Sequence, residues 1–147
     1  MGCLEGKGLA LGCEDSGSCA YGWMYVGPTG KASHCGRAGD YNILNYGNIR
    51  DKSIKEIFND PQREQLAARD KFLAEGECKE CRFWQICHGG CPLDAFMTNK
   101  TFLSRYPFCG SKPKLFERHI EPVTGIRVDL RPENNFINKP NRITSLL

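Results

Sequence analysis

Residues 78–92 read CKECRFWQICHGGCP, and the spacing of the four cysteines in this stretch predicts a metal centre. Two residues separate Cys78 from Cys81, five separate Cys81 from Cys87, and three separate Cys87 from Cys91. A two-residue gap lets both sulfurs converge from one tight turn, and short gaps of this kind recur in runs that bind iron–sulfur clusters. The stretch is therefore typical of a cluster-binding loop.

The end of the stretch, Cys87-His88-Gly89-Gly90-Cys91-Pro92, predicts that its last cysteine serves a different site. In two-cluster ferredoxins a run ends Cys-x₃-Cys-Pro, and the last cysteine ligates the other cluster. The cysteine count agrees with this. Cys13, Cys19 and Cys35 need a fourth ligand, whereas five cysteines lie from Cys78 onward, one more than a single cluster binds. Two glycines before Cys91 would let backbone N–H groups approach a cluster closely. The remaining cysteines are Cys3, Cys13, Cys19, Cys35 and Cys109, of which Cys3 is surplus to two four-ligand sites.

Two other uses of the cysteines remain open on spacing alone. Cys78-x₂-Cys81 with further cysteines also matches structural zinc, for which four-thiolate sites are common. His34 or His88 could complete a zinc site, although a place on the surface or beside a ligand is the simpler interpretation. Disulfides would need an oxidising compartment, and the odd count of nine cysteines leaves one unpaired. The N-terminus has no apolar signal region, so we expect a cytoplasmic location, which favours metal.

The sequence predicts a small, irregular α+β fold with a β-hairpin and short helices organised around two iron–sulfur clusters. Sixteen glycines and eight prolines interrupt the 147 residues, which implies a modest core that disulfides or metals usually reinforce. Residues 21–35 read as a hairpin around a turn at 27–30, and residues 36–47 read as a loop.

Helix signals follow from residue 53 onward. Ser53 and Glu56 fit a capping box for a short helix through about Phe58. Asp60 and Pro61 open a second helix that stops at Gly76. Further starts lie at Pro92 and at Ser111, and after Pro122 we expect an extended tail. The predicted division is a lead-in at 1–12, a two-cluster domain at 13–110, and a C-terminal helix with a tail at 111–147.

Charge and hydropathy exclude two classes of partner. The net charge of +3 arises within residues 111–147, which hold seven Lys/Arg and four Asp/Glu. There is no concentrated basic patch interleaved with aromatic residues, so we expect no nucleic-acid binding. No run of about 18 apolar residues occurs, so we expect no membrane span.

The ordered pattern Cys19-x₁₀-Gly30-x₄-Cys35, followed by Asn48-Ile49, Ser53-Ile54 and the cysteines from Cys78 to Cys109, resembles the SPASM domain. SPASM domains are C-terminal extensions of radical-SAM enzymes that mature peptides and proteins, including sulfatases and ribosomally made natural products. The resemblance covers Cys13 to Cys109. It implies two [4Fe–4S] clusters, a radical-SAM barrel as partner in cis or in trans, a peptide or protein substrate, and a role in electron transfer and substrate positioning. It implies auxiliary cluster I on Cys13, Cys19, Cys35 and Cys91, and auxiliary cluster II on Cys78, Cys81, Cys87 and Cys109.

The sequence departs from the family pattern in two ways. It holds no Cys-x₃-Cys-x₂-Cys run, the motif of the SAM-cleaving cluster, so we expect no SAM cleavage by this chain alone, whether it is a piece of a longer enzyme or a free-standing domain. Gly36 stands where the sulfatase-maturing branch has an aspartate that acts as a base, and Asp40 comes only later. This favours a maturase of the natural-product peptide type. The alternative function is a structural zinc module or a docking module that uses Phe83, Trp84 and Phe96.

Overall fold

The computed structural model describes Cys13 and residues 19–132. These residues form two compact units, divided within one helix between Ala67 and Ala68. The first unit contains residues 19–67, and the second contains residues 68–132 together with Cys13. Three antiparallel strands and several short helices make the fold α+β, as predicted. In the part of the chain that is described, no helix is both long enough and apolar enough to cross a membrane.

The first unit is built on a three-stranded antiparallel sheet in the order β1-β2-β3. Val26 pairs with Ala32 across the predicted hairpin, and Ala32 pairs with Gly47 on its other side. Gly30 closes the hairpin turn at φ +84°, a backbone region that disfavours side chains. The strands are β1 (Tyr25–Val26), β2 (Lys31–Ser33) and β3 (Asn45–Asn48).

The prediction that residues 36–47 form a loop was wrong. The segment begins with helix α2 (Gly36–Asp40) and ends in strand β3. Neither element has a periodic apolar pattern that would predict it. Strand β3 is stabilised by pairing with β2 and buries only Tyr46. The four-residue helix α1 (Cys19–Gly22) was also not predicted.

The helices predicted from capping signals are confirmed. Helix α3 (Ile54–Phe58) carries a complete capping box between Ser53 and Glu56. Helix α4 (Arg63–Glu75) starts two residues after Pro61, the predicted first residue. Residues 60–62 form a turn instead, in which the Gln62 N–H donates to the Asp60 carboxylate.

The second unit packs short helices and one extended segment around two apolar clusters. One cluster contains Leu73, Ala74, Cys78 and Trp84, and the other contains Phe83, Ile86, Phe116 and Val128. The elements are α5 (Trp84–Cys87), α6 (Pro92–Asn99), α7 (Ser111–Leu115), a π-helical turn (Phe116–Ile120) and α8 (Glu121–Thr124). The starts of α6 and α7 are as predicted, whereas α5 was not foreseen.

The segment after Thr124 has no regular secondary structure in the described residues, but it adds one buried side chain to the core. Leu130 donates its backbone N–H to the carbonyl of Arg82 at 2.7 Å, and its carbonyl accepts from Gln85 at 3.2 Å. Arg82 in turn binds the Glu121 carboxylate and the Val128 carbonyl. Val128 is 0% exposed as a result. The predicted tail beyond residue 132 lies outside the described residues.

Val128→Ala is expected to lower the free energy of unfolding by about 2 kcal/mol, because it removes buried methyl groups from a packed cluster. Val123→Ala is the matched control, because Val123 is 85% exposed and should change stability by less than about 0.5 kcal/mol. Chemical denaturation of both variants measures the difference. Equal effects would mean that the extended segment does not contribute to the core.

Candidate metal centre

Two cysteine thiols of the second unit, those of Cys78 and Cys87, have other cysteine thiols close enough to affect their ionisation. Burial raises the pKa of Cys78 to about 12, and the neighbouring thiols of Cys81, Cys109 and Cys87 add to the shift. Burial likewise raises the pKa of Cys87 to about 11, with contributions from Cys109 and Cys81. The thiols of Cys81, Cys87 and Cys109 thus lie near Cys78. That these four cysteines bind one cluster stays a prediction.

Consecutive turns position the first two of these thiols. The Cys78 N–H donates to the carbonyl of Leu73 at the end of α4, at 2.8 Å. The Cys81 N–H then donates to the Cys78 carbonyl at 3.0 Å, and the Trp84 N–H donates to the Cys81 carbonyl at 3.1 Å. The two-residue gap between Cys78 and Cys81 is thus a single hydrogen-bonded turn, as its spacing predicts.

The loop after Cys87 places backbone donors at the Cys87 sulfur. His88, Gly89 and Gly90 are three consecutive residues with positive φ, at 49°, 74° and 73°. The N–H groups of Gly89 and Gly90 lie near the Cys87 sulfur and partly oppose the rise in its pKa, and the Gly90 N–H donates to the Cys87 carbonyl at 2.7 Å. Amide donors of this kind withdraw charge from a thiolate and stabilise it. The close approach of these two glycines to a cluster stays a prediction.

A buried arginine holds this loop in shape. The Arg69 guanidinium is 3% exposed and donates to the carbonyls of His88 at 2.7 Å, Gly89 at 2.8 Å and Ser104 at 3.1 Å. The Tyr106 N–H also donates to the Gly89 carbonyl, at 2.7 Å. These contacts connect the loop of Cys87 with the segment that leads to Cys109.

In the first unit, a hydrogen-bonded chain begins at the sulfur of Cys19. The Cys19 Sγ lies 3.3 Å from His34 Nε2, and the Tyr46 hydroxyl lies 3.2 Å from His34 Nδ1. His34 is 3% exposed, and burial, assisted by the charge of Arg63, lowers its pKa to about 4. Burial also raises the pKa of Tyr46, against the effect of Arg63, and the thiols of Cys19 and Cys35 add to that rise.

A second buried arginine supports the segment that follows Cys19. Arg63 is 1% exposed, and its Nη1 donates to the carbonyls of Ala20 at 2.7 Å and Trp23 at 3.1 Å. Its guanidinium also lies 4.4 Å from the centre of the Tyr46 ring. Sequence analysis missed both arginines, because nothing in the polar sequence of α4 distinguishes them from exposed side chains.

The other candidate residues are placed as follows. Cys13 is exposed and Cys91 is half-buried, where it caps the N-terminus of α6 just before Pro92. Cys91 is not among the largest contributors to the pKa shifts of Cys78 and Cys87. The His88 ring packs against Trp84 at a tilt of 57°, with 5.1 Å between ring centres. Cys3 lies outside the described residues.

The cysteine spacing also left disulfides and a structural zinc site open. None of the eight described cysteines forms a disulfide. Among Cys13 and residues 19–132, no three His, Cys, Asp or Glu side chains are grouped tightly enough to hold one metal ion. The thiols that lie near Cys78, those of Cys81, Cys87 and Cys109, fit an iron–sulfur cluster in their chemistry.

A family model described as an iron–sulfur cluster-binding domain matches residues 13–82. That family is SPASM, and residues 13–82 of this chain are similar to its members. The resemblance inferred from the cysteine pattern is thereby confirmed.

Two curated relatives share the sequence more widely. Both are cysteine-type anaerobic sulfatase-maturating enzymes of Clostridium perfringens, one from strain 13 / Type A and one from strain ATCC 13124. Each is 26% identical over 117 residues, which cover 78% of this chain and 30% of the relative. The chain thus spans about 30% of the length of these relatives. No solved structure matches it significantly.

Gly89→Ala is expected to destabilise the second unit by about 2–5 kcal/mol, because a side chain at φ +74° is strained and its Cβ would overlap Leu73 Cδ1. Gly110→Ala is the control, because φ there is −73° and its nearest neighbour would be Lys114 Cε at 4.0 Å. Denaturation curves of the two variants give the comparison. A Gly89→Ala protein as stable as Gly110→Ala would contradict the geometry of the loop.

Proposed function

We propose that this chain holds two [4Fe–4S] clusters and acts as the auxiliary-cluster domain of a radical-SAM enzyme that modifies a peptide or protein. The observation that supports the proposal is that the thiols of Cys81, Cys87 and Cys109 all lie near enough to Cys78 to raise its pKa. Each cluster, when bound, supplies a one-electron redox couple. Auxiliary cluster II is assigned to Cys78, Cys81, Cys87 and Cys109, and auxiliary cluster I to Cys13, Cys19, Cys35 and Cys91.

The residues of the second unit supply binding and charge compensation. Cys78 and Cys87 carry a proton at neutral pH in the metal-free protein, since burial raises the pKa of each to 11 or above. Loading of metal therefore releases these protons, and binding stabilises the folded unit. Four cysteines per cluster leave no iron open to a further ligand, so electron transfer is a better match than direct coordination of substrate.

Two features bear on the substrate. The relatives are named for maturation of sulfatases, which are proteins. In this chain Gly36 follows Cys35, and Asp40 is exposed at the far end of α2, so no aspartate stands next to that cysteine. We propose a maturase of the peptide type on this ground, with a radical-SAM barrel as the partner in cis or in trans.

Two of the three aromatic residues predicted to form a docking surface are buried. Phe83 and Trp84 are buried in the two apolar clusters of the second unit. Phe96 is half-buried and stacks on Phe102, at 4.5 Å between ring centres. These aromatic side chains act in packing, so the suggestion that Phe83 and Trp84 dock a partner was wrong.

Anaerobically reconstituted protein is expected to hold about eight iron and about eight sulfide per chain, as two [4Fe–4S] clusters. Colorimetric iron and sulfide assays with absorption spectra measure this content. Cys3→Ser is the control, because Cys3 is surplus to both ligand sets and its loss should leave the iron content unchanged. Stoichiometric zinc without sulfide, in protein never exposed to oxygen, would refute the proposal and favour the zinc alternative.

Cys91→Ala is expected to damage auxiliary cluster I chiefly, because cluster II keeps all four of its own cysteines. Cys109→Ala is the matched variant and should damage cluster II instead. Iron counts and electron paramagnetic resonance of the two reduced proteins make the comparison. Loss of the same signal in both variants would mean that Cys91 and Cys109 share one site.

A further inference from the structure

The chain of hydrogen bonds from Cys19 through His34 to Tyr46 is not explained by packing or by ligation. The imidazole of His34 is buried and contacts the Cys19 sulfur through Nε2, at 3.3 Å. Its other nitrogen, Nδ1, contacts the Tyr46 hydroxyl at 3.2 Å. Both ring nitrogens of His34 therefore have a defined partner within the first unit.

The chemistry of a bound thiolate fixes the direction of both hydrogen bonds. A cysteine sulfur ligated to iron carries no proton and can only accept, so Nε2 of His34 must carry the hydrogen in that contact. A neutral imidazole has one N–H, and Nδ1 is then an acceptor for the Tyr46 hydroxyl.

We propose that His34 donates a hydrogen bond to the Cys19 sulfur and thereby raises the reduction potential of auxiliary cluster I, with Tyr46 fixing the tautomer that makes this possible. A donor at a ligating sulfur withdraws electron density from it and stabilises the reduced, more negative cluster. The inference rests on the proposed function, because it assigns Cys19 to that cluster. His34 and Tyr46 are positioning residues, since neither is assigned as a ligand.

The test compares reduction potentials in the reconstituted full chain. Potentiometric titration followed by electron paramagnetic resonance gives one couple per cluster, and the Cys109→Ala variant identifies the couple of cluster I. His34→Ala is expected to move that couple to a more negative potential and to leave the couple of cluster II in place. His34→Gln should lie closer to wild type, because the glutamine amide can still donate an N–H.

Two more variants separate the hydrogen bond from a general effect of substitution. Tyr46→Phe keeps the imidazole but removes the hydroxyl, and it should shift the cluster I couple in the same direction as His34→Ala. His119→Ala is the matched histidine control, since His119 is exposed in the second unit, and both couples should stay at their wild-type potentials. Unchanged cluster I potentials in His34→Ala and Tyr46→Phe, or equal shifts of both clusters, would overturn the inference.

A measurement on the unaltered chain covers the case in which a variant fails to hold its cluster. In protein grown with ring-¹⁵N histidine, the reduced cluster I should show a weak hyperfine coupling to a histidine nitrogen, and the coupling should be absent in His34→Gln. Two intact couples without such a coupling in the wild type overturn this inference alone. A wild-type chain that forms no cluster overturns the proposed function itself.

Discussion

Backbone carbonyl groups in short helices and in the loops between them need donors, and in this molecule two buried arginines of one helix supply them. Arg63 donates to the carbonyls of residues 20, 23 and 57, and Arg69 donates to those of residues 88, 89 and 104. A buried polar group without a partner costs on the order of 1–3 kcal/mol, so several carbonyls left without these donors would be a large loss for units this small. The cysteine-bearing loops keep their shape because helix α4 carries a rigid, multiply donating side chain toward each of them.

The neighbouring thiols of the second unit raise a different problem, because ionised sulfurs repel one another. The pKa values of Cys78 and Cys87 rise through burial and through the neighbouring thiols, so the metal-free site avoids the repulsion by remaining protonated. Two amide N–H groups, aimed at the Cys87 sulfur by three residues with positive φ, are the fixed source of positive potential there. The second unit thus prepares the geometry of an anionic site before the charge is present.

Local signals in the sequence predicted what depends on a few neighbouring residues. The capping box at Ser53, the turn at Gly30 and the start of α6 at Pro92 were predictable, because each depends on the chemistry of residues within one turn. Strand β3 was missed because its partner, β2, is more than ten residues away, and so was the burial of Arg63 and Arg69. Cysteine spacing predicted the tight turn from Cys78 to Cys81, because a two-residue gap restricts where the two sulfurs can lie. The grouping of Cys13, Cys19, Cys35 and Cys91 remains a prediction.

The forked shape of the buried guanidinium groups also affects how relatives of this chain should be compared. Alignment scores treat arginine and lysine as near equivalents, because the two exchange freely on protein surfaces. At positions 63 and 69 the exchange is not equivalent, since an ammonium group is a point charge without the planar fork that reaches several carbonyls at once. A homologue with lysine at either position would align well and still require another donor for the same loop. In surveys of distant members, the identity of these two residues is therefore a better guide to a shared loop structure than overall percentage identity.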